Sequence, residues 1–129
     1  MRAWRGRAGL IGLLKSRFAA GGDGIRPQEE VQRINRGAVL VDVRQSAEFQ
    51  GGHAPVAQHL PLRRIRSGGI AAMQSLRLPA DTREDLLICQ SDMRSKMAQG
   101  LLSKDTARTY ANVTGGMNAW RGHGLPVER

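Results

Sequence analysis

The sequence predicts an α/β fold with a mostly parallel central sheet, and three observations predict it. Residues 38–43 and 86–89 are short aliphatic runs of the kind that form strands buried on both faces. Segments of helical periodicity separate the strand candidates, and such alternation calls for helices layered on a parallel sheet. The chain has 129 residues, the size of one domain; two cores would each be too small to bury much surface. Its longest apolar runs are about five residues, far short of the roughly 18–20 that span a bilayer.

The elements follow in order. Residues 1–17 are basic around an apolar patch, with Leu10, Leu13, Leu14 and Phe18 at helical spacing. That pattern suits an amphipathic helix on an anionic membrane surface, a weak targeting segment, or a helix or frayed end packed on its own domain or a partner. A secretory signal is excluded, because the apolar centre is short and broken by Gly12. Gly21, Gly22, Asp23 and Gly24 read as a linker, which divides the chain into a basic segment (residues 1–23) and a domain (residues 24–129). Pro27 suits the first turn of a helix over residues 27–36, with Val31 and Ile34 on its apolar face and Gly37 as its stop. Residues 57–60 and 111–114 are weaker strand candidates. Residues 62–76 read as helical with a weak point at Gly68-Gly69. Residues 94–104 place Met97, Ala98, Leu101 and Leu102 on one side, and a short helix over residues 117–121 follows a Gly-Gly turn.

Charge narrows the function. The net charge is +9, and 17 of the 20 basic residues are arginine, whose planar fork of donors suits oxyanions. Residues 1–26 and the cluster Arg63, Arg64 and Arg66 hold much of the excess. Nucleic-acid binding is not expected, because none of the few aromatics is interleaved with the basic clusters as a stacking platform. The single cysteine, Cys89, precludes an intrachain disulfide and a thiolate-clustered metal site. His53, His59 and His123 show no ligand spacing, so no metal is expected.

Cys89 ends an aliphatic strand, and Gln90, Ser91, Asp92, Met93, Arg94 and Ser95 lead into a helix. Ligands of open α/β sheets bind beyond the carboxyl ends of strands. A loop curling into a helix start turns backbone N–H groups inward, which makes an anion nest and favours thiolate over thiol. Arg94 adds positive charge at the rim. Spacing alone favours the plainer reading, in which Cys89 is the last buried residue of its strand.

At this point the residues resemble a known family. Residues 39–44, with Glu48, Phe49, residues 52–57 and residues 60–62, resemble the first half of a single-domain rhodanese. Residues 89–95 resemble its active-site loop, and residues 115–120 with 124–127 its C-terminal signature. The resemblance implies a three-layer α/β/α fold and a sulfurtransferase. Cys89 is then the nucleophile: it takes sulfur from thiosulfate or a similar small anionic donor, carries it as a persulfide, and passes it to cyanide, a thiol or an acceptor protein. Amides of residues 90–95 stabilise the anionic sulfur, Arg94 closes the cradle, and Arg44 either lines the bowl or pairs with Asp42. No cofactor is implied. Related folds that dephosphorylate place five residues between Cys and Arg; here there are four, which favours sulfur transfer.

One departure matters. Asp92 stands where the family usually has a small residue, often Gly. If the position needs a positive φ, Asp tolerates it better than most residues, at some cost. A carboxylate ~5 Å from the thiolate disfavours it by about 3 kcal/mol at an effective dielectric of ~20, unless the side chain points to solvent. That feature keeps open a catalytically weak binding or regulatory module. Residues 105–109 also depart from the usual turn before the last strand. His53 is expected to hold a turn and Trp120 to anchor the core. A reactive thiol fits a reducing compartment, so the expected location is cytoplasmic, with membrane-surface contact through residues 1–18 kept open.

Overall fold

The computed structural model describes residues 24–129. The amphipathic segment expected at residues 1–18 lies outside the described residues. Five strands form one all-parallel sheet in the order β1-β5-β4-β2-β3: β1 Gly24–Ile25, β2 Val39–Asp42, β3 Gln58–His59, β4 Glu84–Ile88 and β5 Thr109–Val113. The helices are α1 Pro27–Asn35, α2 Ser46–Gln50, α3 Leu62–Gly68, α4 Met93–Leu102 and α5 Gly116–Gly122, and a 3₁₀ turn runs over Gly69–Ser75.

β2 and β4 lie inside the sheet, where both faces are covered, so an aliphatic run suits them. Side chains alternate between the faces. Leu40, Leu86 and Ile88 join Val31 and Ile34 of α1 and Met117 and Trp120 of α5 on one face. Val39, Val41, Val43, Leu87 and Cys89 join Leu62 and Ile65 of α3, Met73, and Ala98 and Leu102 of α4 on the other. The result is helix, sheet, helix. The alternation sends the Cys89 side chain toward α3 and α4, at the carboxyl edge of the sheet.

The expected ends of α1 are met by Pro27 in its first turn and by Gly37 at φ +110° just beyond it. The helix expected over residues 62–76 divides at its glycines, with Gly69 at φ +60° closing α3. Trp120 is fully buried and donates its ring N–H to the carbonyl of Pro126 at 2.7 Å.

Three features differ from the sequence reading. Gly24 belongs to a strand rather than to the linker alone: β1 pairs with β5 in the register Gly24 to Asn112. A two-residue strand is too short to show alternation. Helix α2 was not expected; it buries no residue and so leaves no apolar period, and its start is held by the Gln45 N–H donating to Glu48 Oε1 at 3.0 Å. In α4 the inward residues are Ser95, Ala98 and Leu102, while Met97 and Leu101 are about 40% exposed. Small residues let α4 lie close to the sheet beside Cys89, and the larger apolar ones turn outward.

Candidate active site

Cys89 follows directly on β4, and its side chain is only 1% exposed. The loop after it turns back into α4, whose first turn brings the Ser95 N–H to within 3.3 Å of Cys89 Sγ; Ser95 Oγ is also 3.3 Å from the sulfur. Ser95 is buried and further tied by its hydroxyl to the Asp92 carbonyl at 3.1 Å and to Asn112 Oδ1.

The loop's carbonyls face the other way. The Met117 N–H donates to the Cys89 carbonyl at 2.7 Å, and the Asn118 N–H to the Gln90 carbonyl at 3.1 Å. A trans peptide sets its N–H opposite its C=O, so the N–H groups of Gln90 and Ser91 point away from α5. The first turn of α5 thus fixes which way the loop's dipoles run. Gly116 makes this approach possible: it sits at φ +56°, and a Cβ there would come within 2.6 Å of the Ser91 carbonyl oxygen and nearer still to that of Cys89.

Two arginines tie the loop to the segment after β2, Arg44 from that segment and Arg94 from the first turn of α4. Arg44 is buried, with Nε and Nη2 on the Asp42 carboxylate, Nη2 on the Gly52 carbonyl at 2.8 Å and Nη1 on Gln90 Oε1 at 3.3 Å. Arg94 is clamped in a two-bond pair with Glu48 at 2.6 and 2.9 Å. Those bonds hold the Glu48 carboxyl down at about pKa 2 and raise the Arg94 guanidinium above its ordinary value. His53 stacks on Phe49 at 3.8 Å and makes a 2.8 Å hydrogen bond with the Phe49 carbonyl; His59 packs on Phe49 near the other ring and meets the Arg44 carbonyl at 2.7 Å.

A family model for the rhodanese-like domain matches residues 26–123. The chain belongs to the rhodanese-like family. Similar curated proteins include a sulfurtransferase from Allochromatium vinosum, 34% identical over 69% of this chain and 77% of that one. Another is the putative sulfurtransferase YtwF from Bacillus subtilis, 36% identical over 67% of this chain and 77% of that one. Among solved structures, a rhodanese-related protein from Thermoplasma volcanium superposes with a TM-score of 0.67 at 23% identity, covering 83% of this chain and 98% of that one. At that identity the structural likeness is one of fold.

In this rhodanese-like chain the loop residues take different places. Gln90 turns its side chain outward, donating to Asn118 Oδ1 at 2.6 Å. Ser91 is exposed, and Met93 is 74% exposed at the rim. Asp92 is half-buried and turns its Oδ1 toward β5 and the β5–α5 turn. Its backbone has an ordinary φ of −143°, and its Oδ1 accepts from Asn112 Nδ2 at 3.0 Å and from the Gly115 N–H at 2.9 Å. Arg94, expected to close the cradle, is engaged by Glu48 beside it. Arg44 takes a supporting place between Asp42, Gly52 and Gln90 rather than a free one over the sulfur. The backbone donor to Sγ among the described residues is that of Ser95, fewer than the run of amides expected from residues 90–95.

Sequence reasoning missed Glu48, Asn112 and Gly116 as parts of this assembly. Asn112 had a signal: a buried amide in an otherwise apolar strand must find partners, and it finds Ser95 and Asp92. Gly116 had one too, in a Gly-Gly pair that the sequence reading places in a turn and in the C-terminal signature without connecting it to the Cys89 loop.

Proposed function

We propose that this rhodanese-like protein moves a sulfane sulfur from a small anionic donor, such as thiosulfate, to a thiophilic acceptor through a persulfide on Cys89. The observation that carries this reading is the Ser95 N–H aimed at Cys89 Sγ while the Cys89 and Gln90 carbonyls are held by α5. In the first half-reaction the Cys89 thiolate attacks the outer sulfur of thiosulfate. The sulfur–sulfur bond of the donor breaks, its electron pair leaves on sulfite, and Cys89 carries the persulfide. In the second, cyanide, a thiol or an acceptor protein's thiolate attacks that outer sulfur and Cys89 leaves as the thiolate. Donors fixed before the reaction stabilise the anionic sulfur without reorganisation. Glu48 and Arg44 position the loop rather than touch the substrate. The names of the curated relatives support sulfur transfer in the same family.

A second reading, a binding or regulatory module with little turnover, is favoured by the burial of Cys89 and by the commitment of Arg94 to Glu48. Mass measurement separates the two. After mixing with thiosulfate, the intact protein gains one sulfur atom, Cys89→Ser gains none, and cyanide removes the gain. No gain from thiosulfate or from any organic persulfide at neutral pH overturns sulfur transfer and leaves the module.

A further inference from the structure

A cleft of about 560 Å³ opens beside the Cys89 loop. Val43, Pro61 and Leu62 give it an apolar wall, and Arg63, Arg66 and Arg94 bring three guanidinium groups to it. Val43 packs in the same cluster as Cys89, and its N–H bonds the carbonyl of Ile88, the residue before Cys89, at 2.9 Å. Cys89 itself does not line the cleft and is 1% exposed, so Val43 stands between the cleft and the sulfur, and a donor seated there reaches Cys89 past that side chain. The cleft's volume falls in the range of small-molecule sites, roughly 300–1,000 Å³, and far exceeds what thiosulfate fills.

The charges in the cleft are unequal. Arg94 is neutralised by Glu48. Arg63 and Arg66 have no carboxylate partner among the described residues; Arg66 rests on Met97 Sδ at 2.8 Å. The two stand three residues apart on α3 and so share a face, whereas Arg64 between them does not line the cleft. Two uncompensated guanidinium groups beside an apolar wall select an anion with a carbon body.

We propose that this cleft holds the body of a small organic persulfide bearing carboxylates, with Arg63 and Arg66 binding the carboxylates and the outer sulfur presented to Cys89; this rests on Cys89 being the sulfur acceptor. The step balances. The Cys89 thiolate attacks the outer sulfur, which keeps its proton. The donor's sulfur–sulfur bond breaks as the bond to Cys89 forms, and the electron pair leaves on the inner sulfur as an organic thiolate. No oxidant or reductant is consumed.

The test loads Cys89 with mercaptosuccinate persulfide, a dicarboxylate, and with the persulfide of its neutral diamide, read as mass gain against donor concentration. In the wild type the dicarboxylate is expected to reach half-loading at about tenfold lower concentration than the diamide, a ratio of one or two charge-assisted contacts. In Arg63→Gln/Arg66→Gln, whose fold is checked by circular dichroism, that preference falls toward one. Equal loading by the two donors in the wild type, or a preference unchanged in the double variant, overturns the cleft assignment alone. Failure of both persulfides and of thiosulfate to load Cys89 overturns the sulfur-transfer reading on which it rests.

Discussion

Gly116 packs against the carbonyl of Cys89, and no side chain fits between them. Gly116→Ala is therefore expected to push the active loop off the first turn of α5. The new methyl meets backbone atoms, which cannot rotate away, and the residue sits at φ +56°, where an L side chain is strained. A loss of roughly 2–3 kcal/mol in urea denaturation is expected, with sulfur loading of Cys89 slowed at least tenfold. Gly122→Ala in the same helix is the control, since a Cβ there meets nothing within 4 Å. Equal behaviour of the two variants would remove Gly116 from the account of the loop.

Asp92 yields a prediction opposite to the one its charge suggests. A carboxylate facing the thiolate would be relieved by Asp92→Gly. The structure instead uses Oδ1 to hold Asn112 and the Gly115 N–H, tying the active loop to the β5–α5 turn. Asp92→Gly should therefore lower stability by about 1–2 kcal/mol and slow loading, because two donors lose their acceptor. Asp92→Asn keeps an acceptor oxygen there and should load at near the wild-type rate. Faster loading by Asp92→Gly would show that the carboxylate repels the donor after all.

How much of this was legible in the sequence depends on the kind of signal each residue leaves. β2 and β4 announce themselves because a strand covered on both faces must be aliphatic throughout. Cys89 at the end of β4, the order of the rhodanese-like blocks and the break at Gly68-Gly69 were also legible, each from a local pattern of residues. Helix α2 was not, since it buries nothing and has no periodicity to read. Strand β1 was not, since two residues show no alternation. In α4 the sequence could not tell which of two apolar stripes faces inward: closeness to the sheet decided for Ser95 and Ala98 over Met97 and Leu101. The pairing of Arg44 with Asp42, two residues away, was one of the readings the sequence offered; the Arg94–Glu48, Arg44–Gln90 and Asp92–Asn112 contacts join positions 46, 46 and 20 residues apart, and nothing local encodes them.

The pair Glu48–Arg94 sets an acid dependence. The Glu48 pKa lies at about 2, below its ordinary 4.5, chiefly because Arg94 hydrogen-bonds the carboxylate. A depressed folded pKa means that the pair's stabilisation is complete above the unfolded value and is lost as pH falls from about 4.5 through about 2. Both side chains are about 30% exposed, so after solvent screening the contribution is on the order of 1 kcal/mol. Glu48→Gln is expected to be less stable than the wild type by that amount at pH 7, with the gap shrinking by more than half by pH 3. A gap that stays constant from pH 7 to pH 3 would assign the effect to packing rather than to the ion pair.

Glu30 sets the opposite dependence. It lies on the inner face of α1, fully buried, and neither carboxylate oxygen has a hydrogen-bond partner among the described residues. Burial pushes its pKa well above the ordinary value; Arg33 opposes the rise, while Glu84 and Glu29 add to it. Between the unfolded and the folded pKa, the unfolded chain has released this proton and the folded chain still holds it. Stability attributable to Glu30 is thus full below about pH 4.5 and falls as pH rises, by up to ~1.4 kcal/mol per pH unit. Glu30→Gln resembles the protonated acid in shape and cannot ionise. It is expected to match the wild type near pH 4 and to exceed it at pH 7–8 by about 1 kcal/mol or more, since an unpaired buried carboxylate is a cost the amide does not carry. Urea denaturation of both proteins at four or five pH values measures the difference directly, and the subtraction removes the slopes of the other carboxyl groups, Asp85 among them. A difference that does not grow between pH 4 and pH 8 would mean that Glu30 is ionised and compensated in the folded chain.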